Sequence, residues 1–149
     1  MMAKFFSIAS ASVPSLDDVA NMSWSFTFQP VPTIITSVAQ SRGGNSLGLD
    51  PEKDGNVMNV LVSVSWDAEA EDALIEEQVK AVLARAKSEA VAMGVFNGYE
   101  YLNYAAGWQD PIAGYGEDVK KGLQGVSNVY DPRGVFQRLV PGGFKLFDA

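Results

Sequence analysis

Apolar and polar residues alternate one for one along two stretches of the chain. Trp24-Ser25-Phe26-Thr27-Phe28-Gln29 sets three aromatic rings on one side and three polar groups on the other. That pattern predicts a half-buried strand, ended by Pro30 and Pro32. Val57 to Trp66 repeats it, with Val60, Val62, Val64 and Trp66 on one face and Leu61, Ser63 and Ser65 on the other. Two further strands are expected: the apolar run Phe5 to Ser10, and Tyr99 to Tyr104, where Tyr99, Tyr101 and Asn103 oppose Glu100, Leu102 and Tyr104.

Helical spacing appears between these strands. Pro14 breaks the chain, and Ser15 before Leu16-Asp17-Asp18-Val19 reads as the cap of a short helix. Pro32 can open a second helix with Ile34, Ile35 and Val38 on one side, stopped by Gly43-Gly44. Asn45 to Asn56 reads as a polar loop with a turn at Asp54-Gly55. Asp67 is placed to cap the longest helix, whose stripe runs through Ile75, Val79, Val82, Leu83, Ala86, Ala90 and Met93 to Gly94. Glu117 to Val129 carries Val119, Leu123 and Val126 on one side, and Asp131-Pro132 has the form of a final helix start. The order predicts an α+β fold, an antiparallel sheet with helices packed on one face, and a single domain over residues 1–149.

Composition changes the picture mainly by what it removes. The chain has no cysteine and no histidine, which excludes thiol nucleophiles, imidazole bases and the usual zinc sites. Acid–base work falls to Asp, Glu, Lys, Tyr or water, and no metal site is expected. A net charge of −7 and a pI near 4.4 argue against nucleic acid and membrane surfaces as partners. No apolar run approaches the length of a membrane span, so the expectation is a soluble, cytoplasmic protein.

The C-terminal third carries a distinctive series of motifs. Tyr101-Leu102-Asn103-Tyr104 is followed by Gln109-Asp110-Pro111-Ile112-Ala113-Gly114-Tyr115-Gly116, Val126-Ser127, Tyr130-Asp131-Pro132, Gly134-Val135-Phe136-Gln137 and Leu139-Val140-Pro141-Gly142-Gly143-Phe144-Lys145-Leu146. Upstream stand Phe28-Gln29-Pro30, Gly43-Gly44-Asn45-Ser46-Leu47-Gly48-Leu49 and Trp66. In order and spacing this resembles the C-terminal, substrate-side part of the berberine-bridge-enzyme-like FAD-linked oxidoreductases, especially those of fungal secondary metabolism, from about Trp24 to Leu146. The resemblance implies a sheet whose helix-free face meets substrate and flavin ring, with Asn103 and Tyr104 near the flavin and a nearby tyrosine able to act as base. The family's flavin domain, with its Gly-rich pyrophosphate loop and its His and Cys attachment points, has no counterpart in the chain. FAD is therefore not expected on this chain alone, and no other cofactor is implied.

Several residues carry two readings. Tyr104 suits hydrogen-bond donation to a substrate carbonyl, because a phenol donates more readily than it ionises near neutral pH; it could equally fill a layer of the sheet. Asn103 could orient a ligand oxygen or tie down a turn. Gln109-Asp110-Pro111 reads as a turn builder, and Asp131-Pro132 and Pro141-Gly142-Gly143 as structural. The polar face of Ser25, Thr27, Gln29, Ser63 and Ser65 would need a new cover without a flavin domain, as a ligand pocket or a homodimer interface. The expected site is thus Tyr104, Asn103 and Tyr101 for catalysis, with Trp24, Phe26, Thr27, Gln29, Ser63, Ser65, Trp66, Tyr99 and Trp108 for binding a small-molecule substrate. Three functions are open: a flavin-free cyclase, Diels-Alderase or isomerase acting on a reactive intermediate, half of an FAD-linked oxidoreductase, or a non-catalytic ligand-binding remnant.

Overall fold

The two alternating stretches become the strands of a two-stranded antiparallel sheet, β1 (Ser23–Val31) and β2 (Val57–Ser65). They belong to a computed structural model that describes residues 1–12 and 16–147. The break at Pro14 and the cap at Ser15 lie outside the described residues. The helices are α1 (Met2–Ser10), α2 (Thr33–Ser41), α3 (Pro51–Asp54), α4 (Asp72–Ala92), α5 (Pro111–Gly114), α6 (Glu117–Tyr130) and α7 (Val135–Arg138). The α+β class stands as expected. Among the described residues, no helix is long and apolar enough to cross a membrane.

The chain divides into two units, one of Met1–Gln29 with Val60–Phe96 and one of Pro30–Asn59 with Asn97–Ala149. The first unit holds the larger core. Phe5, Ile8 and Ala9 of α1 pack with Val82 and Ala86 of α4 over Trp24, Phe26, Phe28, Val60 and Val62. The aromatic face of β1 is therefore the helix-covered one, and Ser25, Thr27, Ser63 and Ser65 are exposed. Phe5 meets Phe26 and Phe28 edge to face at 5.6 and 5.7 Å, pairs that contribute about 0.5–1.5 kcal/mol each beyond the area they bury. A second cluster of Leu16, Val19 and Ile75 packs with Met22, Val64, Trp66 and Val79.

The Phe5–Ser10 stretch is a helix rather than a strand. Its buried residues, Phe5, Ile8 and Ala9, sit at i, i+3 and i+4, which lines one helical face and would split across both faces of a strand. The long helix also starts later than Asp67. That carboxylate instead accepts a hydrogen bond from Asn21 Nδ2 at 2.6 Å, while a 3₁₀ turn at Glu69–Glu71 leads into α4 at Asp72. Its end is as expected: Gly94 takes φ +67, and Val95 N donates to Ala90 O at 2.9 Å, the Schellman closure that satisfies the last carbonyls.

In the second unit, α2 ends at Gly43-Gly44 as the sequence suggests, with Gly44 N donating to Ala39 O at 2.9 Å. Its apolar residues do not form a core, however. Ile34, Ile35 and Val38 are exposed, Ile34 at 71%, and Thr36 is the buried one. The expected loop Asn45–Asn56 contains α3, capped by Asp50 Oδ1, which accepts from Glu52 N at 2.8 Å and Lys53 N at 3.3 Å. Tyr99–Tyr104 is not a strand but an extended segment closing in a 3₁₀ turn at Leu102–Tyr104. The last helix begins at Val135 rather than Pro132, although Asp131 still caps it by accepting from Val135 N and Phe136 N at 2.8 and 2.9 Å.

Candidate functional site

The expected site residues fall into two groups, one in each unit. On the sheet, Trp24 and Phe26 form an edge-to-face pair at 5.6 Å and pack beneath α1 and α4 with the core. Trp66 belongs to the second cluster, and its indole Nε1 donates to Asp72 Oδ1 at 2.7 Å. Thr27, Ser63 and Ser65 lie on the exposed face, and Gln29 is half-buried. The structure thus separates the aromatic and the polar members of this group onto opposite faces of the sheet. The Trp24 indole N–H is buried without a hydrogen-bond partner.

The second unit gathers Tyr99, Tyr101, Asn103 and Tyr104. Asn97 anchors the segment, donating through Nδ2 to Asp54 Oδ1 at 3.0 Å and accepting from Tyr99 N at 2.9 Å. The turn that follows closes with Tyr104 N donating to Tyr101 O at 2.9 Å. This folds the two rings together, edge to face at 4.7 Å. Asn103 Nδ2 donates to the Tyr101 hydroxyl at 2.9 Å. Tyr104 and Trp108 are exposed at 41% and 38%, so both present aromatic surface outward.

Tyr115, part of the Gln109–Gly116 motif but outside the expected site, joins the cluster in the structure. It is 9% exposed and stacks on Tyr99 at 5.7 Å with 16° between ring planes. Burial, then the neighbouring Tyr115 and Tyr101, pushes the Tyr99 phenol above its ordinary value. Burial raises Tyr115 as well, against a lowering hydrogen bond with the Leu102 backbone. Both stay protonated at neutral pH, so they act as hydrogen-bond partners or packing surface rather than as bases. No periodicity marks Tyr115; the bend that buries it is set by Asp110, whose Oδ1 accepts from Ala113 N at 3.0 Å, and by Pro111 at the first position of α5. Beside this cluster, one carboxylate oxygen of Glu100 is buried without a partner.

The same unit has an open groove of about 270 Å³, lined by Gln40, Gly44, Asn45, Gly48, Leu49, Asp50 and Pro51. Most of its polar groups are already used. Asn45 Nδ2 donates to Leu49 O at 2.9 Å while its Oδ1 accepts from Leu47 N at 2.9 Å.

A flavin dinucleotide needs backbone N–H groups and positive potential for its pyrophosphate. Five of the helix starts are poor places for it. Asp72 stands in the first turn of α4, and Glu117 and Asp118 in that of α6. Asp50 and Asp110 occupy the starts of α3 and α5 with their own carboxylates, and Thr33 N at the start of α2 donates to Asn56 Oδ1 at 2.8 Å. Those five starts therefore do not fit the pyrophosphate. Among the described residues, no three carboxylates gather to hold a metal ion.

No family model matches the chain, and no solved structure matches it. Over 119 residues, 80% of this chain, it is 40% identical to the FAD-dependent monooxygenase drtC of Aspergillus calidoustus, 22% of which is covered. It is 41% identical over 118 residues to the FAD-dependent monooxygenase sdcF of Emericella nidulans, covering 79% of this chain and 24% of that protein. It is also 33% identical over 118 residues to the bifunctional solanapyrone synthase of Alternaria solani, with 79% and 22% covered. The chain is thus similar, over about four-fifths of its length, to fungal FAD-dependent monooxygenases, and it spans about a quarter of the length of these curated relatives.

Proposed function

We propose that this chain is the substrate-side segment of an FAD-dependent oxidoreductase of the berberine-bridge-like kind, acting on a small apolar molecule. The flavin is held by polypeptide other than these residues. The observation that carries this reading is the Tyr101–Asn103–Tyr104 turn, a hydrogen-bonded ring pair in a chain similar over most of its length to FAD-dependent monooxygenases. Asn103 gives a hydrogen to the Tyr101 oxygen, and the Tyr101 phenol still carries its own O–H donor. Tyr104 and Trp108 offer the exposed rings on which an apolar substrate can lie. Donors fixed by a turn stabilise developing charge on a substrate oxygen without reorganising.

A second reading is favoured by one finding, the similarity to a bifunctional synthase. Here the same residues act without flavin, holding a reactive intermediate in a near-attack geometry for cyclisation, cycloaddition or isomerisation. Such positioning contributes several kcal/mol, up to about 7–11 in well-oriented cases.

The test is to place Tyr104→Phe and Asn103→Ala in the source organism and compare metabolites with a deletion strain. Both variants are expected to accumulate the compound that builds up on deletion. A wild-type profile in both would overturn the assignment of this turn to the site. The accumulated compound, added to purified chain without flavin, separates the two readings: conversion supports the second, and its absence the first.

A further inference from the structure

The tyrosine cluster is assembled by three backbone segments that come unusually close at two glycines. Gly48, in the loop after α2, has φ +73, and a Cβ built on it would lie 2.1 Å from the Tyr115 carbonyl oxygen and 3.0 Å from the carbonyl carbon. Gly114 precedes Tyr115, and a Cβ there would lie 2.8 Å from Gly98 O and 3.3 Å from Glu100 N, the groups that flank Tyr99. These neighbours are backbone atoms and cannot rotate away. By contrast Gly43, also at positive φ (+102), has nothing within 4 Å of its Cβ position. The left-handed conformation alone explains Gly43; at Gly48 it does not, because contact adds a second demand.

We infer that Gly48 and Gly114 are positioning residues for the tyrosine site, seating Tyr115 against Tyr99 and, through Tyr99, setting the segment that carries Tyr101, Asn103 and Tyr104. Gly48 fixes the Tyr115 backbone from the groove side, since it also lines the groove. Gly114 fixes the distance between the Tyr115 and Tyr99 backbones, so that the rings stack at 5.7 Å. Two residues after Tyr99, the Tyr101 ring meets Tyr104 and its hydroxyl accepts from Asn103. A displacement of Tyr115 by even a fraction of an ångström is thus passed along the segment to the donors. The Gly43-Gly44-Asn45-Ser46-Leu47-Gly48 run, which by pattern only ends a helix, gains a second task at its last glycine.

The inference rests on the tyrosine site of the preceding section, but its readout needs no turnover. Alkaline ultraviolet titration of the full chain follows tyrosinate formation, with Tyr99→Phe and Tyr115→Phe assigning the late-ionising phenols. Gly48→Ala and Gly114→Ala are expected to bring those phenols down toward the ordinary value of about 10, with helical circular dichroism retained. Gly43→Ala, strained by its positive φ but without a contact, is expected to leave them where they are. If Gly48→Ala does not fold, Gly114→Ala decides alone. Unchanged titration in the folded variants overturns the inference. Loss of fold in both, with Gly43→Ala intact, also overturns it, because the glycines would then be structural only. A metabolite profile unaffected by both Tyr104→Phe and Asn103→Ala, alongside a shifted titration, would remove the functional reading and leave the seating intact.

Discussion

Single side chains settle how the tyrosine cluster behaves with pH. The phenols of Tyr99 and Tyr115 are raised, chiefly by burial. In the unfolded chain they ionise near 10. The folded state therefore binds protons more tightly above that pH, and its stabilisation, complete below about 10, is lost as pH rises through the folded values. Stability measured by urea unfolding should be flat across neutral pH, as far as these groups decide it, and fall above about pH 10. Tyr99→Phe and Tyr115→Phe should each reduce that fall. Asp131 offers a second test at this scale. Its two oxygens accept the Val135 and Phe136 N–H groups, so Asp131→Ala should cost about 1 kcal/mol in the same unfolding measurement. The residue was legible as a cap from Asp-Pro alone; the helix it serves starts three residues later because Gly134, at φ +63, turns the chain first.

Among the elements, the best-marked periodicities were read correctly. β1 and β2 declare themselves by alternation, and α4 and α6 by their stripes. The elements that differ from expectation are short, and two of them, Phe5–Ser10 and Tyr99–Tyr104, are rich in aromatic residues. Phe5 to Ser10 has too few polar positions to show its period, and burial against β1 and α4 decides for helix. Tyr99 to Tyr104 alternates like a strand, but the backbone there is held by Asn97 and the Leu102–Tyr104 turn rather than by a strand partner. That difference is why the tyrosines were legible as a group and their arrangement was not: a strand would have put Tyr101 and Tyr104 on opposite faces, whereas the turn brings the rings to 4.7 Å. Phe5 is the residue by which α1 holds the sheet. Phe5→Ala should cost about 3–5 kcal/mol in chemical unfolding, whereas Ile34→Ser on the exposed side of α2 should stay within about 0.5 kcal/mol. The Lys4–Glu89 pair at 3.5 Å joins α1 to α4, but both groups are solvent-accessible, and Lys4→Ala should change stability by less than about 1 kcal/mol.

For the whole molecule, acidity and similarity point the same way. The chain carries a net charge of −7, and five of its helix starts carry carboxylates or are already bonded. Its relatives named FAD-dependent monooxygenases extend well beyond the quarter or so that it matches. In the proposed function, substrate contact belongs to these residues and the dinucleotide to other polypeptide. The most direct test is the visible absorbance spectrum of the purified chain after incubation with FAD and desalting. A colourless protein is the expected result. Flavin retained in stoichiometric amount would contradict the proposal, since it would show a dinucleotide site within this chain.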